Sequence, residues 1–143
     1  MMGVIEQFKK MIGQEAKNVS PSPYGRWLNG TLLEAEEGRL RMSYLIREEF
    51  ANPAGIAHGG VLAGIIDEVM GMTTFSLGRD GFYVAANLNV DFLRPAMVGD
   101  EVTIQSEVIR AGKTIAHVEC RISSKDGKLL AKATSNLIMT VIK

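Results

Sequence analysis

The middle of the chain, residues 58 to 78 (HGGVLAGIIDEVMGMTTFSLG), is predicted to form a long apolar helix. At 3.6 residues per turn, the bulky residues share one side, and this face is wide enough to bury against a sheet: Val61, Leu62, Ile65, Ile66, Val69, Met70 and Thr73. The opposite side is a stripe of small residues with one carboxylate: Gly60, Gly64, Asp67, Gly71, Thr74 and Gly78.

The glycine stripe predicts a close contact. Each Gly inside a helix costs roughly 1 kcal/mol relative to Ala, so a face that met only water would gain nothing from several of them. We therefore expect a second copy of the helix, a ligand or both to approach the stripe. Asp67 would then lie at that contact rather than in bulk water.

The segments before this helix differ from one another in periodicity. Apolar residues recur at helical spacing from residue 2 to 17, which predicts a short amphipathic helix, and residues 18 to 30 are rich in turn formers, as in a connector. From Thr31 the period changes to that of a half-buried strand, with alternating apolar residues at Leu40, Met42, Tyr44 and Ile46.

The long helix is followed by four strand-like runs, at residues 82 to 93, 100 to 110, 113 to 124 and 128 to 142. Their joints are short and contain Gly, which predicts an antiparallel meander. The predicted fold class is α+β: an antiparallel sheet of about five or six strands wrapped around the central helix, with an amphipathic helix at the N-terminus. Residues 1–143 are interpreted as one domain, with the first helix and connector in residues 1–29.

Composition narrows the class of protein. Sixteen Lys plus Arg balance sixteen Asp plus Glu, so no overall field attracts nucleic acid or an anionic membrane. The N-terminus lacks a signal-peptide pattern, and Asp67 and Glu68 would lie near the middle of any membrane span through the apolar helix. The single cysteine, Cys120, is expected to be a buried thiol. We expect a cytoplasmic protein that binds neither nucleic acid nor membranes.

The loop NPAGIAHGG leads into the helix and offers candidate chemistry. His58, Gly59 and Gly60 precede the first apolar turn, so the backbone N–H groups of the two glycines are expected at a helix start, which attracts oxyanions. Asp67 lies seven residues beyond Gly60, roughly 10 Å along the axis, too far to serve the same carbonyl. Two helices that cross at their glycine stripes would bring Asp67 of one subunit to these N–H groups of the other, which predicts a dimer with shared sites.

Simpler interpretations exist for each residue taken alone. His58 could serve as a capping or packing residue, the glycines as turn residues, and Asp67 as a solvated helix residue. The chain has no phosphate-binding loop of the GxxxxGK type, no G-x-S-x-G elbow, no cysteine pair and no metal-ligand spacing. A reaction without metal or cofactor is therefore indicated.

Residues from about 50 to 140 resemble a hotdog-fold thioesterase of the phenylacetate-pathway type, within the 4-hydroxybenzoyl-CoA thioesterase superfamily. The resemblance rests on Asn52, on the run from His58 to Gly60, on Asp67, on NVDFLRPAMVGD at 89–100 and on RAGKT at 110–114. It implies that the chain hydrolyses acyl-CoA thioesters as a homodimer, often paired into a homotetramer, without a cofactor.

The resemblance also implies roles for individual residues. Asp67 would be the general base or nucleophile, and the N–H of Gly59 would polarise the thioester carbonyl, with Asn52 and His58 positioning the thioester or the water. CoA itself would be held by Gly60 and by two further segments, through Arg94, Pro95, Ala96, Arg110, Gly112, Lys113 and Thr114.

One position departs from some relatives, which carry a serine or threonine hydroxyl where this chain has Ala85. Ala85 cannot orient a water molecule. Either Asp67 would act without that hydroxyl, or turnover by the enzyme would be slower. Two other functions stay open on the same fold. One is a hydratase or dehydratase that acts on hydroxyacyl chains, and the other is a noncatalytic acyl-CoA-binding protein.

Overall fold

The computed structural model describes residues 2–141. Within this range, three short helices come first: α1 (Val4–Met11), α2 (Ala16–Val19) and α3 (Pro23–Leu28). The strands β1 (Thr31–Glu36) and β2 (Arg39–Leu45) lead through one 3-10 turn (Glu48–Phe50) to the long helix α4 (Gly59–Phe75). Four strands complete the described range: β3 (Phe82–Phe92), β4 (Glu101–Ala111), β5 (Ile115–Ser124) and β6 (Leu129–Thr140).

The strands of the described residues form one six-stranded antiparallel sheet in the order β1-β2-β4-β5-β6-β3. Helix α4 packs against β2, β3, β4, β5 and β6. A sheet that touches one helix with so many strands must curl around it, as a strongly twisted sheet does. The predicted α+β class, an antiparallel sheet wrapped around a long central helix, is confirmed.

The predicted four-stranded meander is wrong at one connection. β3 pairs with β6 and leaves its sequence neighbour β4 to pair with β2. Segment 93–100 therefore crosses between the two: the N–H of Leu93 donates to the carbonyl of Leu130 at 2.8 Å, and the N–H of Gly99 donates to that of Ile46 at 2.8 Å. On the way, Met97 forms an isolated bridge with Ile56, just before α4. The segment between β3 and β4 thus passes the start of α4 instead of forming a hairpin. It can be short because the sheet is curled.

Helix α4 is held by its apolar face. The residues predicted to face the sheet are buried, apart from the partly buried Val61: Leu62, Ile65, Ile66, Val69, Met70 and Thr73. Burial of each large apolar side chain contributes about 1.5–3 kcal/mol, so this face fixes the rotation of the helix. Cys120 is buried in the same core, as predicted. No helix in residues 2–141 is both long and apolar enough to cross a membrane.

The N-terminal helix is shorter than predicted. Helix α1 ends at Met11, and Gly13 adopts a left-handed φ of 85°, which an L side chain rarely adopts. The N–H of Gly13 donates to the carbonyl of Leu32, which ties this turn to β1. The predicted helix over residues 2 to 17 is therefore two helices, α1 and α2, separated by a glycine turn.

The predicted connector contains a helix, α3. The Ser22 hydroxyl accepts a hydrogen bond from the N–H of Gly25 at 3.0 Å, Pro23 takes the first helical position, and Asn29 ends the helix with a left-handed φ of 58°. These are ordinary start and stop signals of a helix. The sequence pattern did not reveal this helix, because it is only six residues long and lies among many turn-forming residues.

One position of the glycine stripe of α4 is covered by the same chain, whereas the expected approach of a second copy or a ligand stays a prediction. At Gly64 a methyl group would collide with the hydroxyl of Tyr24, so α3 of the same chain covers this position. At Gly60 and Gly71 a methyl group would meet no atom within 4 Å. Gly78 lies beyond the end of α4, with a φ of 70°, and is not part of the helical stripe. Within the described chain, Tyr24 thus covers the stripe at Gly64, whereas Gly60 and Gly71 on either side are uncovered.

Gly30 provides a test of the packing of the N-terminal segment, because a methyl group there would overlap the buried ring of Tyr44. We predict that Gly30→Ala lowers the free energy of unfolding by about 1–3 kcal/mol, the usual cost of overpacking, as measured by urea denaturation. Gly71→Ala is the matched control, expected to be neutral or to stabilise by up to roughly 1 kcal/mol. Wild-type stability of Gly30→Ala would contradict the packing described.

Candidate functional site

The loop before α4 is fixed by backbone hydrogen bonds on both sides. The N–H of Ala57 donates to the carbonyl of Ala96 at 2.8 Å, and the N–H of His58 donates to that of Phe50 at 2.8 Å. The carbonyl of His58 then accepts from the N–H of Leu62 at 3.1 Å, which begins the helix. The start of α4 is therefore held against both the crossing segment and the 3-10 turn that follows β2.

Two N–H groups at this helix start are unpaired. Within residues 2–141, no carbonyl or side chain accepts a hydrogen bond from the N–H of Gly59 or Gly60. Such groups carry the partial positive charge of a helix N-terminus and can bind an oxyanion. The ring of Phe92 lies close on one side, since a methyl group on Gly59 would be 3.3 Å from its Cζ atom. Both glycines thus occupy the helix start that the sequence predicts.

His58 is the N-cap residue of α4, but its side chain makes no capping hydrogen bond and is exposed. The backbone of His58 supports the helix through its carbonyl, so the imidazole is not needed for that purpose. The capping interpretation of this side chain is therefore wrong. His58 directly precedes the two residues with unpaired N–H groups, and its imidazole is exposed to solvent.

Asn52 shapes the loop through its side chain. Its Oδ1 atom accepts hydrogen bonds from the N–H of Ala54 at 2.9 Å and from the N–H of Ile56 at 3.3 Å. Its own N–H donates to the carbonyl of Ile56 at 2.8 Å. This is an Asx turn, in which a short amide side chain replaces missing backbone partners. The Oδ1 atom is thereby occupied, while the Nδ2 group has no such bond within the described residues.

Asp67 lies midway along α4, on the side away from the apolar face, and is exposed. Its side chain lines a cavity of about 590 Å³. Most of the cavity wall is apolar, and it comes from α1, α4 and the strands β1, β2, β3 and β6: Phe8, Met11, Leu32, Met42, Met72, Phe75, Phe82 and Leu137. A volume of this size lies within the range that holds a small organic ligand.

The N-terminal segment forms one wall of this cavity, which the sequence did not indicate. Phe8 and Met11 of α1, together with Pro21 and Gly25 at the start of α3, line the cavity opposite α4. The predicted amphipathic helix therefore does more than cover the domain. Its apolar residues are the only signal in the sequence, and they do not reveal which element they face.

Gly59 and Asp67 are eight residues apart on α4, about 12 Å along the axis at 1.5 Å per residue. The reacting atoms of a general base and a carbonyl need to lie about 3 Å from their partners. One chain therefore does not bring its own Asp67 carboxylate and Gly59 N–H to the same carbonyl group. The structure keeps these two predicted site residues apart.

The two segments expected to hold CoA lie at opposite ends of the sheet. Segment 93–97 follows Phe92, which pairs with Ala131, whereas the hairpin before Ile115 lies beside Ile138. Ala131 and Ile138 are seven residues apart on β6, or about 23 Å at 3.3 Å per residue. These two segments of one chain do not form one binding site.

The exposed side chains of segment 93–97 and of the β4–β5 hairpin suit a binding site at the surface. Arg94 and Pro95 are exposed after β3, whereas Ala96 is buried and uses its carbonyl to hold the loop before α4. In the β4–β5 hairpin, the N–H of Gly112 donates to the carbonyl of Ile115 at 2.8 Å. The hydroxyl of Tyr83 donates to the carbonyl of Gly112 at 3.3 Å, and the neighbouring side chains are exposed: Arg110, Lys113 and Thr114.

Ala85 lines the same cavity as Asp67. It stands beside a bulge in β3, because Ala85 pairs with Leu137 and the next pair is Asn87 with Asn136. A β-bulge redirects neighbouring side chains and often stands next to an active site. The position noted for its missing hydroxyl is thus at the cavity, near the carboxylate.

Tyr44 lies deeper in the cavity wall. Burial, followed by the nearby Glu68 carboxylate, raises the pKa of Tyr44, so its phenol stays protonated at neutral pH. Burial likewise raises the pKa of the Cys120 thiol, which disfavours the reactive thiolate. Within residues 2–141, no three His, Cys, Asp or Glu side chains are grouped so that they could hold a metal ion.

Comparisons with known proteins found a matching family and similar chains. A family model described as "Thioesterase superfamily" matches residues 54–131. Human acyl-coenzyme A thioesterase 13 is 30% identical over 103 residues, which span 71% of this chain and 74% of that protein. The matched residues include the loop before α4 and α4 itself, while α1–α3 lie outside the family match.

Solved structures share the fold. A phenylacetic acid degradation-related protein of Ralstonia eutropha is 32% identical, with a TM-score of 0.76 over 83% of this chain and 92% of that one. Zebrafish thioesterase superfamily member 2 is 22% identical, with a TM-score of 0.81 over 98% of this chain and 100% of that one. The second similarity extends over the N-terminal segment as well.

Asn52 offers a test of the loop geometry. We predict that Asn52→Ala lowers the free energy of unfolding by about 1 kcal/mol, because the N–H groups of Ala54 and Ile56 lose their acceptor. Asn52→Asp keeps an oxygen at the same place and should retain more of the stability. Urea denaturation of the two variants measures the difference, and equal stability of Asn52→Ala and wild type would refute the role of this turn.

Proposed function

This chain belongs to the thioesterase superfamily, whose members hydrolyse thioesters, and we propose that its substrate is an acyl-CoA, cleaved to the free acid and CoA. The observation that carries the proposal is the position of Asp67, whose side chain lines an otherwise largely apolar cavity of about 590 Å³. A carboxylate at such a place can act on a thioester carbonyl while the acyl chain occupies the cavity.

In the proposed reaction, Asp67 either takes a proton from a water molecule or attacks the thioester carbonyl itself. In the first case the water oxygen bonds to the carbonyl carbon, the carbon–sulfur bond breaks, and CoA leaves as the thiol after protonation. In the second case the carboxylate bonds to the carbonyl carbon, the carbon–sulfur bond breaks and CoA leaves as the thiolate, which is then protonated; water hydrolyses the resulting mixed anhydride to the free acid and the Asp67 carboxylate. Both routes place negative charge on the carbonyl oxygen, and the N–H of Gly59 at the start of α4 would stabilise it.

The active site is proposed to form between two chains, because Asp67 and Gly59 of one chain are too far apart. β3 is the last strand of the sheet, and its free edge exposes Phe82, Val84 and Phe92. Such an edge is a ready template for pairing with a second copy. Two copies related by a two-fold axis that is perpendicular to β3 at this edge would have antiparallel α4 helices, with the start of each helix near the middle of the other.

The same two-fold arrangement would assemble the CoA site. Antiparallel pairing of two β3 edges puts the Phe92 end of one strand near the Phe82 end of its partner, where the partner's β4–β5 hairpin also lies. Arg94 of one chain and the hairpin residues Arg110 and Lys113 of the other would then flank one CoA, whose phosphates they suit by charge. This argument is independent of the Asp67 to Gly59 distance and leads to the same dimer.

The remaining site residues are proposed to position the reactants. His58 has an exposed imidazole beside the Gly59 N–H, and Asn52 holds the loop while keeping its Nδ2 group available. Ala85 supplies no hydroxyl at the cavity, so Asp67 would orient the water without that help.

Asp67→Asn tests the role of the carboxylate. We expect the variant to hydrolyse acyl-CoA at least about a hundredfold more slowly, since the amide neither accepts a proton nor attacks a carbonyl, while CoA-ester binding stays largely intact. Released CoA, detected with a chromogenic thiol reagent, gives the rate, and calorimetry gives the binding. Undiminished hydrolysis would remove Asp67 from the mechanism.

Gly59→Pro tests the backbone donor, because proline removes the N–H while suiting the first position of a helix. His58, with a φ of −57° and a ψ of 136°, already has the conformation that precedes proline. We expect turnover to fall by about 10²–10³-fold, the usual effect of losing one oxyanion donor. Gly59→Ala is the matched control, since it adds the same Cβ beside Phe92 but keeps the N–H, and equal losses in both variants would contradict the role of the donor.

Mixing the two inactive variants tests whether the site is shared. In a mixed dimer of Asp67→Asn with Gly59→Pro, one of the two sites receives both intact groups. Random exchange of subunits should therefore restore about a quarter of the wild-type activity. No recovery after verified exchange would exclude a site built from two chains.

A further inference from the structure

The charged side chains around the cavity are all of one sign. Among the described residues that line it, only Asp67 and Glu68 are charged, and none is Lys, Arg or His. Asp67 is assigned to the chemistry, which leaves Glu68 without a role in the reaction. Glu68 is thus a second carboxylate in a largely apolar wall.

The side chain of Glu68 lies close to α3. Its side chain is half-buried, and a methyl group on Gly25 would lie 2.5 Å from its Oε1 atom. The same point is 3.0 Å from the Oγ atom of Ser20, so the absence of a side chain at Gly25 leaves room for the carboxylate. The carboxylate of Glu68 thus lies against α3 and beside the cavity.

The charge of Glu68 is not neutralised nearby. It forms no ion pair with any residue of the part of the chain that the structure describes. Its field reaches the inner wall, since the Glu68 carboxylate adds to burial in raising the pKa of Tyr44. The hydroxyl of Tyr44 donates only to the sulfur of Met42, at 3.7 Å, and stays neutral. Among the described residues, the cavity lining thus combines apolar side chains with two carboxylates and no cationic side chain.

We propose that Glu68 is a specificity-determining residue that excludes acyl groups with a free carboxylate and restricts the enzyme to acyl-CoAs with neutral acyl groups. Like charges repel far more strongly in a partly buried cavity than in water, and apolar walls offer such a carboxylate no solvation. Neutral chains meet neither penalty. The inference rests on the proposed function, because it concerns which acyl-CoA the same site accepts.

Three substrates of matched length isolate the charge: octanoyl-CoA, suberoyl-CoA with a terminal carboxylate, and the methyl ester of suberoyl-CoA. For the wild type we expect kcat/KM for suberoyl-CoA to be at least about tenfold below that for its methyl ester, a difference of about 1.4 kcal/mol. Similar values for these two esters would overturn the proposal without any variant.

Glu68→Gln removes the charge and keeps the shape. We expect it to raise the ratio of kcat/KM for suberoyl-CoA to that for octanoyl-CoA by about tenfold or more. Glu119→Gln is the matched control, because Glu119 is exposed on β5 outside the cavity, and its ratio should equal that of the wild type.

The outcomes separate the two proposals. A ratio in Glu68→Gln within about threefold of the wild type, with octanoyl-CoA still hydrolysed, overturns the role of Glu68 and leaves the proposed function standing. Loss of octanoyl-CoA hydrolysis in folded Glu68→Gln places Glu68 in the chemistry and also overturns the selection role. Failure of the wild type to release CoA from any of the three esters contradicts the proposed function itself.

Discussion

Burial of one face of α4 inside the curled sheet is the constraint on which the rest of the structure depends. Leu62, Ile65, Ile66 and Val69 can leave water only if the helix takes one rotation about its axis. That rotation sends the opposite side, with Asp67 and the glycines, towards the cavity and the open edge. The apolar core and the candidate active site therefore lie on opposite sides of the same helix. A change that rotated α4 would disturb both.

The unpaired N–H of Gly59 and the carboxylate of Asp67 lie on one helix, too far apart to contact the same carbonyl group. Gly59 and Asp67 are separated by the rise of the helix, which side-chain flexibility does not close. The two segments rich in exposed cations are separated by the length of β6. Both separations support the proposed site between two chains, although one concerns a helix and the other a sheet.

The N-terminal segment is the part of the chain that shapes the cavity. It lies outside residues 54–131, which match the family, and yet Phe8, Met11 and Gly25 form the wall opposite Asp67. Glycines make this close packing possible, because Gly30 leaves room for the ring of Tyr44 and Gly64 for the hydroxyl of Tyr24. The segment that matches the family and part of the cavity wall therefore belong to different regions of the chain.

The sequence by itself determined what depends on local periodicity: the α4 helix and its buried face, the positions of the strands, and the glycines at the helix start. It also indicated the candidate catalytic residues, through motif order and spacing. The tertiary structure alone decided that β3 pairs with β6, that Tyr24 covers Gly64 and that Glu68 lies beside Gly25. Periodicity reports which face of an element is apolar, whereas the partner of that face is chosen by the packing of residues distant in the chain.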